Sequence, residues 1–284
     1  AETAEPATVP GGTVAYYSAE NSATRGRRVR LLQDLRLALE RGELSLAYQP
    51  QIALVGERLV GFEALLRWYH PEFGQVAPSE FVPLAEESGL ILPIGTWVLR
   101  DALRQLKAWR VEGIDIERVA VNLSPRQFED PGLFDAVWAV LDEACLPKGS
   151  LELEVTESMA LHDPVRAIEL MARLRELGVV LALDDFGTGY SNLSQLKRLP
   201  VDVIKIDQLF IRQIVRDAGD AAIVRAVVAL AHGFGLKVVA EGVESQAQVI
   251  KLAQLGCDVC QGYHYGAPMA ANTVSGWMRE RGFA

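Results

Sequence analysis

The chain has 284 residues, half of them hydrophobic and 23% charged, with a formal net charge of −9. A mean hydropathy of +0.13 and a pI near 5.1 fit a chain with a large core. They argue against binding a nucleic acid polymer, which calls for a basic face, though a phosphate-bearing substrate stays open because bound divalent cations reverse the local charge.

Three cysteines, Cys145, Cys257 and Cys260, make no disulfide framework. Cys257 and Cys260 form a C-x-x-C without a second pair, and they read as small core residues rather than a zinc or redox site. No apolar stretch reaches the roughly 18 uninterrupted residues of a membrane-spanning helix.

Residues 1–26 are rich in Ala, Thr, Pro, Gly and Ser and read as linker or the end of an upstream domain. Helical spacing through Leu31, Leu32, Leu35 and Leu39 follows, stopped by Gly42. LSLAYQPQI (44–52) alternates as a strand and LVGFEALLRW (59–68) reads as its partner, with a turn at Gly56 making a hairpin. Strand-like runs then recur at 118–124, 151–157, 179–185, 201–207, 236–242 and 258–263. Helical patterns at 94–112, 132–145, 164–177, 191–198, 218–234 and 245–255 separate them, and a last one lies near 271–281. About eight strands, mostly alternating with helices, predict an α/β (β/α)8 barrel, with a doubly wound open sheet as the competing architecture.

The strand ends favour the barrel. Glu63, Asn122, Glu154, Asp184 with Asp185, Lys205, Glu241 and Gln261 each stand at or near the C-terminal end of a run. Side chains alternate along a strand, so Asn122 shares a face with Ala120, Glu154 with Glu152 and Asp184 with Ala182. The other face carries Val121, Leu153 and Leu183, suited to packing under helices. Polar groups from distant segments would then meet at one rim, where barrel active sites lie.

Taken singly, each acid reads as a helix cap or a surface charge, and Lys205 as half of a buried ion pair. Gathered at one mouth, the acids would raise one another's pKa values unless cations balanced them. The donor set is all oxygen, which suits Mg²⁺ or Mn²⁺ rather than zinc. His70, His162, His232 and His264 are scattered, without metalloprotease spacing. Six candidate ligands exceed what one Mg²⁺ takes from protein and point to two ions, the arrangement that serves phosphodiester cleavage. A single Mg²⁺ with Lys205 as base, as in an enolase-type enzyme, is the rival; Glu63, Asp185, Glu241 and Arg67 fit it less well. FGTG (186–189) lacks the third glycine of a dinucleotide loop and reads as a loop over the site.

The ordered motifs YQP (48–50), EALLRW (63–68), NLSPRQF (122–128), ELEVTES (152–158), LDDFGTGYSNL (183–193), IKIDQLF (204–210), AEGVES (240–245) and CQGYHYGAP (260–268) resemble the EAL domain family of cyclic di-GMP phosphodiesterases. The resemblance implies a TIM-like barrel over 29–284 with an irregular, antiparallel first strand. Residues 1–28 become a linker or the tail of a GGDEF-like domain. It further implies two Mg²⁺ or Mn²⁺ ions and hydrolysis of cyclic di-GMP to linear 5′-pGpG; a receptor that binds without cleaving is the alternative. By this resemblance Glu63, Asn122, Glu154, Asp184, Asp185 and Glu241 are metal ligands. Glu63, Lys205 and Glu241 carry catalysis, with Lys205 on the attacking water, and Glu157 anchors the glycine loop. Gln49, Leu66, Arg67, Asn122, Asp207, Glu244, Gln261 and Tyr263 contact substrate. A homodimer, an upstream sensory region and a cytoplasmic domain, in a full-length protein open to membrane anchoring, complete the implication. Asn192, where serine is common, is the departure noted.

Overall fold

The computed structural model describes residues 26–187 and 196–283, with the backbone of 7–8, 14–15 and 19–25. Two compact units separate: Ala1–Ser45 with Arg67–Ile91, and Leu46–Leu66 with Leu92–Ala284. Strands β1 (Leu44–Ala53) and β2 (Arg58–His70) are joined by a turn in which Gly56 has φ 79° and Glu57 φ 45°. A four-residue connection is too short for the crossover that parallel pairing needs. The expected hairpin and antiparallel first strand follow from that length.

In the smaller unit the expected leucine-spaced helix is α1 (Ala19–Ala38), with Leu31, Leu35 and Ala38 buried. Its Arg27 pairs with Glu80 at 2.6 Å, on α2 (Pro78–Ser88). Asp34 lies 3.2 Å from the buried His70 ring, a hydrogen bond that holds its carboxyl below the usual range despite burial. The end of β2 pairs with β3 (Gly74–Val76), Trp68 opposite Val76, and Trp68 meets Phe81 edge-on. The motif reading did not place α2. Pro78 opens it at a tolerated position, but Pro83 inside it argues locally against a helix.

The larger unit is a closed barrel. Strands β4 (Arg118–Asn122), β5 (Leu151–Thr156), β6 (Val180–Phe186), β7 (Val203–Ile206), β8 (Lys237–Ala240) and β9 (Val259–Gln261) run parallel in that order, with β4 also parallel to β2. β1 closes the ring, antiparallel to β9 and paired with β2, and β10 (Met269–Ala270) adds to its edge. The eight strands from β1 through β9, leaving out β3, make the expected TIM-like barrel.

Helices α3 (Ile91–Val111), α5 (Leu133–Ala144), α7 (Pro164–Glu176), α9 (Ala218–Gly233), α10 (Gln246–Leu255) and α11 (Val274–Arg281) match the helical periods, with bounds shifted by a few residues. The period read over 191–198 lies mostly outside the described residues, as does Asn192. Short α4 (Pro125–Phe128), α6 (Glu157–His162) and α8 (Gln208–Ile211) follow β4, β5 and β7 directly.

Two motif serines do structural work: Ser124 with Gln127 and Ser245 with Gln248 form capping boxes on α4 and α10. An apolar layer of Val60, Ala182, Val203, Val239 and Val259 fills the barrel. Four of these stand two positions before Asp184, Lys205, Glu241 and Gln261. Alternation thus puts the polar set one layer above a dry floor. Cys257 and Cys260 are buried core thiols, and Cys257 donates to the Val238 and Val259 carbonyls.

Candidate functional site

Lys205 on β7 is the centre of the site. Its ammonium lies 2.7 Å from Glu154 Oε2, 2.6 Å from Glu241 Oε1, 3.6 Å from Asp184 Oδ1 and 3.9 Å from Glu63 Oε2. The lysine is 1% exposed. Burial pulls its pKa down, but the surrounding carboxylates, Glu154 and Glu241 foremost, more than reverse that, so it stays charged. One ammonium among four acids leaves an excess of buried negative charge. Burial pushes Glu154 well above the carboxylate range, with Glu63 adding to the rise and Lys205 opposing it. Burial likewise carries Glu241 up to about 7 against the pull of Lys205.

The adjacent aspartates pose a problem that β6 solves by breaking register. Leu183 pairs with Ile204 and Phe186 with Ile206, so Asp184 and Asp185 together stand opposite Lys205 alone. Asp185 takes φ 55°, a left-handed conformation that aspartate tolerates better than most residues, and its N–H donates to Asp184 Oδ1 at 2.9 Å. The break in strict alternation therefore falls at the rim, where Asp184 lies 3.6 Å from the Lys205 ammonium. Burial, then the charges of Asp184 and Asp207, raise the Asp185 pKa. The next turn is held from β5's side: Glu157, first residue of α6, accepts from the Gly187 N–H at 3.5 Å.

Glu63 is fixed by amides. Asn122 Nδ2 donates to its Oε1 at 2.5 Å, and Gln261 Nε2 donates to its Oε2. Gln261 also donates to Gln49 Oε1 at 3.1 Å and accepts from Gln51 Nε2 at 3.0 Å. Above this ring opens a cavity of about 380 Å³ lined by Gln49, Glu63, Asp184, Glu241, Glu244 and Tyr263 among others. Tyr263 is 69% exposed. Asp207 caps α8, accepting from the Leu209 N–H at 2.8 Å.

Leu65 lines the cavity and Leu66 does not; Arg67 belongs to the smaller compact unit. Gln51, Leu65, Gln208 and Arg212 are additions the motifs did not single out. Strand alternation puts Gln51 on the same face as Gln49, a signal that could have found it. A larger cavity of about 680 Å³, lined by Phe128, Met159, His162 and Arg166, holds none of these residues.

Metal fit rests on the donor atoms. Among the described residues no three His, Cys, Asp or Glu side chains are closed up as a ready cage; the acids are drawn towards the Lys205 ammonium instead. Yet Glu154 is 1% exposed and neither of its oxygens accepts a well-aligned hydrogen bond, Oε2 having only the close ammonium. A buried carboxylate left so is costly. With the excess negative charge and an all-oxygen donor set, these residues fit a hard divalent cation.

Comparison with known proteins decides the family. The EAL domain model matches residues 32–268. The chain belongs to the EAL domain family. It is 46% identical over 259 residues to MucR of Pseudomonas aeruginosa, a bifunctional diguanylate cyclase/cyclic di-GMP phosphodiesterase, covering 91% of this chain and 38% of MucR. Over 246 residues it is 43% identical to the cyclic di-GMP phosphodiesterase PdeR of Escherichia coli K12, covering 87% of this chain and 37% of PdeR. A solved PaMucR phosphodiesterase–c-di-GMP complex matches this EAL fold with a TM-score of 0.82 and 48% identity, over 86% of this chain and 99% of that one. The chain thus spans under two-fifths of the length of these curated EAL relatives. No helix among the described residues is long and apolar enough to cross a membrane.

Proposed function

We propose that this EAL domain hydrolyses cyclic di-GMP to linear 5′-pGpG with two divalent cations, Mg²⁺ or Mn²⁺. The observation that carries the reading is the meeting of Glu63, Glu154, Asp184 and Glu241 around Lys205, with Glu154 left without an aligned partner. Glu63, Asn122, Glu154, Asp184 and Glu241 would hold the ions, with Asp185 serving the second. The bound cations would supply charge for the phosphate and bring the pKa of a coordinated water down from about 15.7 towards 7.

The chain's own groups do the rest. Lys205 Nζ orients the attacking water by donating to it. Glu241, 2.6 Å from that ammonium, takes the water proton. As the water oxygen bonds to phosphorus, the bond from phosphorus to one ribose 3′-oxygen breaks, and that oxygen takes up a proton from solvent. Asn122 and Gln261 keep Glu63 in one orientation. Tyr263 offers a ring face to a guanine, and Glu244 an acceptor for guanine N–H groups. Glu157 holds the turn at Gly187. The proposal carries with it a cytoplasmic domain, a second copy as partner and an upstream sensory or GGDEF-like region; relatives more than twice this chain's length favour the last.

The test is incubation of purified protein with cyclic di-GMP and Mn²⁺, followed by chromatography. Formation of pGpG is the expected result. Tight binding without product would replace the hydrolase by a receptor, and neither binding nor product would remove both.

A further inference from the structure

We propose that Gln51, a residue outside the motifs quoted above, is a positioning residue: it supplies the one donor that the buried Gln261 amide oxygen needs, and so holds Gln261, and through it Glu63, in the orientation seen. The inference rests on the reading of Glu63 as part of the active site. Register places Gln51 directly opposite Gln261 in the antiparallel β1–β9 pair, and the two residues are 2% and 3% exposed.

The direction of every hydrogen bond in the chain of amides is set by its ends. The Gly266 carbonyl can only accept, so Gln49 turns its Nε2 towards it at 3.2 Å and presents Oε1 to Gln261. Both Glu63 oxygens act as acceptors, Oε1 from Asn122 and Oε2 from Gln261. Gln261 must therefore face Gln49 and Glu63 with its NH₂ group, and both of its donors are spent on Gln49 Oε1 and Glu63 Oε2. That leaves Gln261 Oε1 pointing at β1 in a buried position, where it needs a donor. Gln51 Nε2 supplies it at 3.0 Å. Without that donor a flipped Gln261 would set its carbonyl oxygen against the Glu63 carboxylate, and a bond would become a repulsion.

Two variants test this: Gln51→Met, which keeps volume and removes the donor, and Gln51→Met combined with Gln261→Met. In metal-free ¹⁵N-labelled protein, the Gln261 side-chain amide protons should exchange at least about tenfold faster in Gln51→Met than in wild type, the scale of one lost buried hydrogen bond. Turnover of cyclic di-GMP should fall about tenfold in Gln51→Met, with KM within about twofold. Adding Gln51→Met to Gln261→Met should cost nothing more, because the first acts through the second. Unchanged exchange at Gln261, or additive losses in the double variant, would overturn the inference. Should wild type show no hydrolysis, the functional reading falls by itself, and the exchange measurement still decides the role of Gln51.

Discussion

Replacing Lys205 by methionine removes an ammonium that lies 2.6–3.9 Å from Glu63, Glu154, Asp184 and Glu241, while keeping most of the side chain's volume. Glu154 and Glu241 have raised pKa values in the fold, so the folded state binds more protons than the unfolded chain. Stability of the metal-free protein therefore falls as pH rises from about 4.5, the ordinary glutamate value, through the raised values, near 7 for Glu241. Losing Lys205 takes away the charge that opposes those rises, so the fall is steeper and extends further. At pH 8 the variant should lose about 3–5 kcal/mol, the usual cost of stripping a partner from a buried ionic cluster, or roughly 6–20 °C in Tm. At pH 5, with Glu154 and Glu241 largely protonated, the loss should shrink towards the packing change, about 1.5 kcal/mol or less. Thermal unfolding of chelator-treated protein at both pH values is the assay. Equal losses at pH 5 and pH 8, or no loss at pH 8, would refute Lys205 as the shared counter-ion.

Glu63→Ala should lower pGpG formation by several orders of magnitude while the far-ultraviolet circular dichroism stays that of wild type. Gly262→Ala brings a Cβ within 2.2 Å of the Val243 backbone beside the cavity. It should cost about 1–3 kcal/mol in urea unfolding and depress turnover through the neighbouring Gln261. Inside the barrel, Arg118 Nη1 lies 3.1 Å from Glu152, whose pKa burial raises against the pull of that guanidinium. Arg118→Met alone should therefore destabilise by about 3–5 kcal/mol, and Arg118→Met with Glu152→Leu by much less; urea midpoints of the two variants compare them.

Much of the site was legible because period-2 alternation and polar strand ends are local signals. Glu63, Asn122, Glu154, Asp184, Lys205, Glu241 and Gln261 all meet at or around the mouth, as their places in the runs implied. The hairpin followed from a connection too short to cross over. The ion-pair reading of Lys205 holds, and one of the four acids around its ammonium, Glu154, is left without an aligned hydrogen bond.

What the pattern hid is long-range or conformational. That two neighbouring aspartates stand opposite the single residue Lys205 depends on a broken register with β7 and on Asp185 at φ 55°, neither of which local spacing encodes. Gln51 shares the face of Gln49 by alternation, but its meaning lies in a partner 210 residues away. Helix α2 was obscured by Pro83, whose local cost the tertiary setting overrides.

The binding of Mn²⁺ to the purified chain, followed by calorimetric titration in wild type and Glu154→Gln, tests the central claim most directly. The account predicts two ions per chain in wild type and a marked loss of affinity when the buried carboxylate becomes an amide. Binding unchanged in Glu154→Gln, or full cyclic di-GMP turnover by wild type that binds no ion, would contradict it.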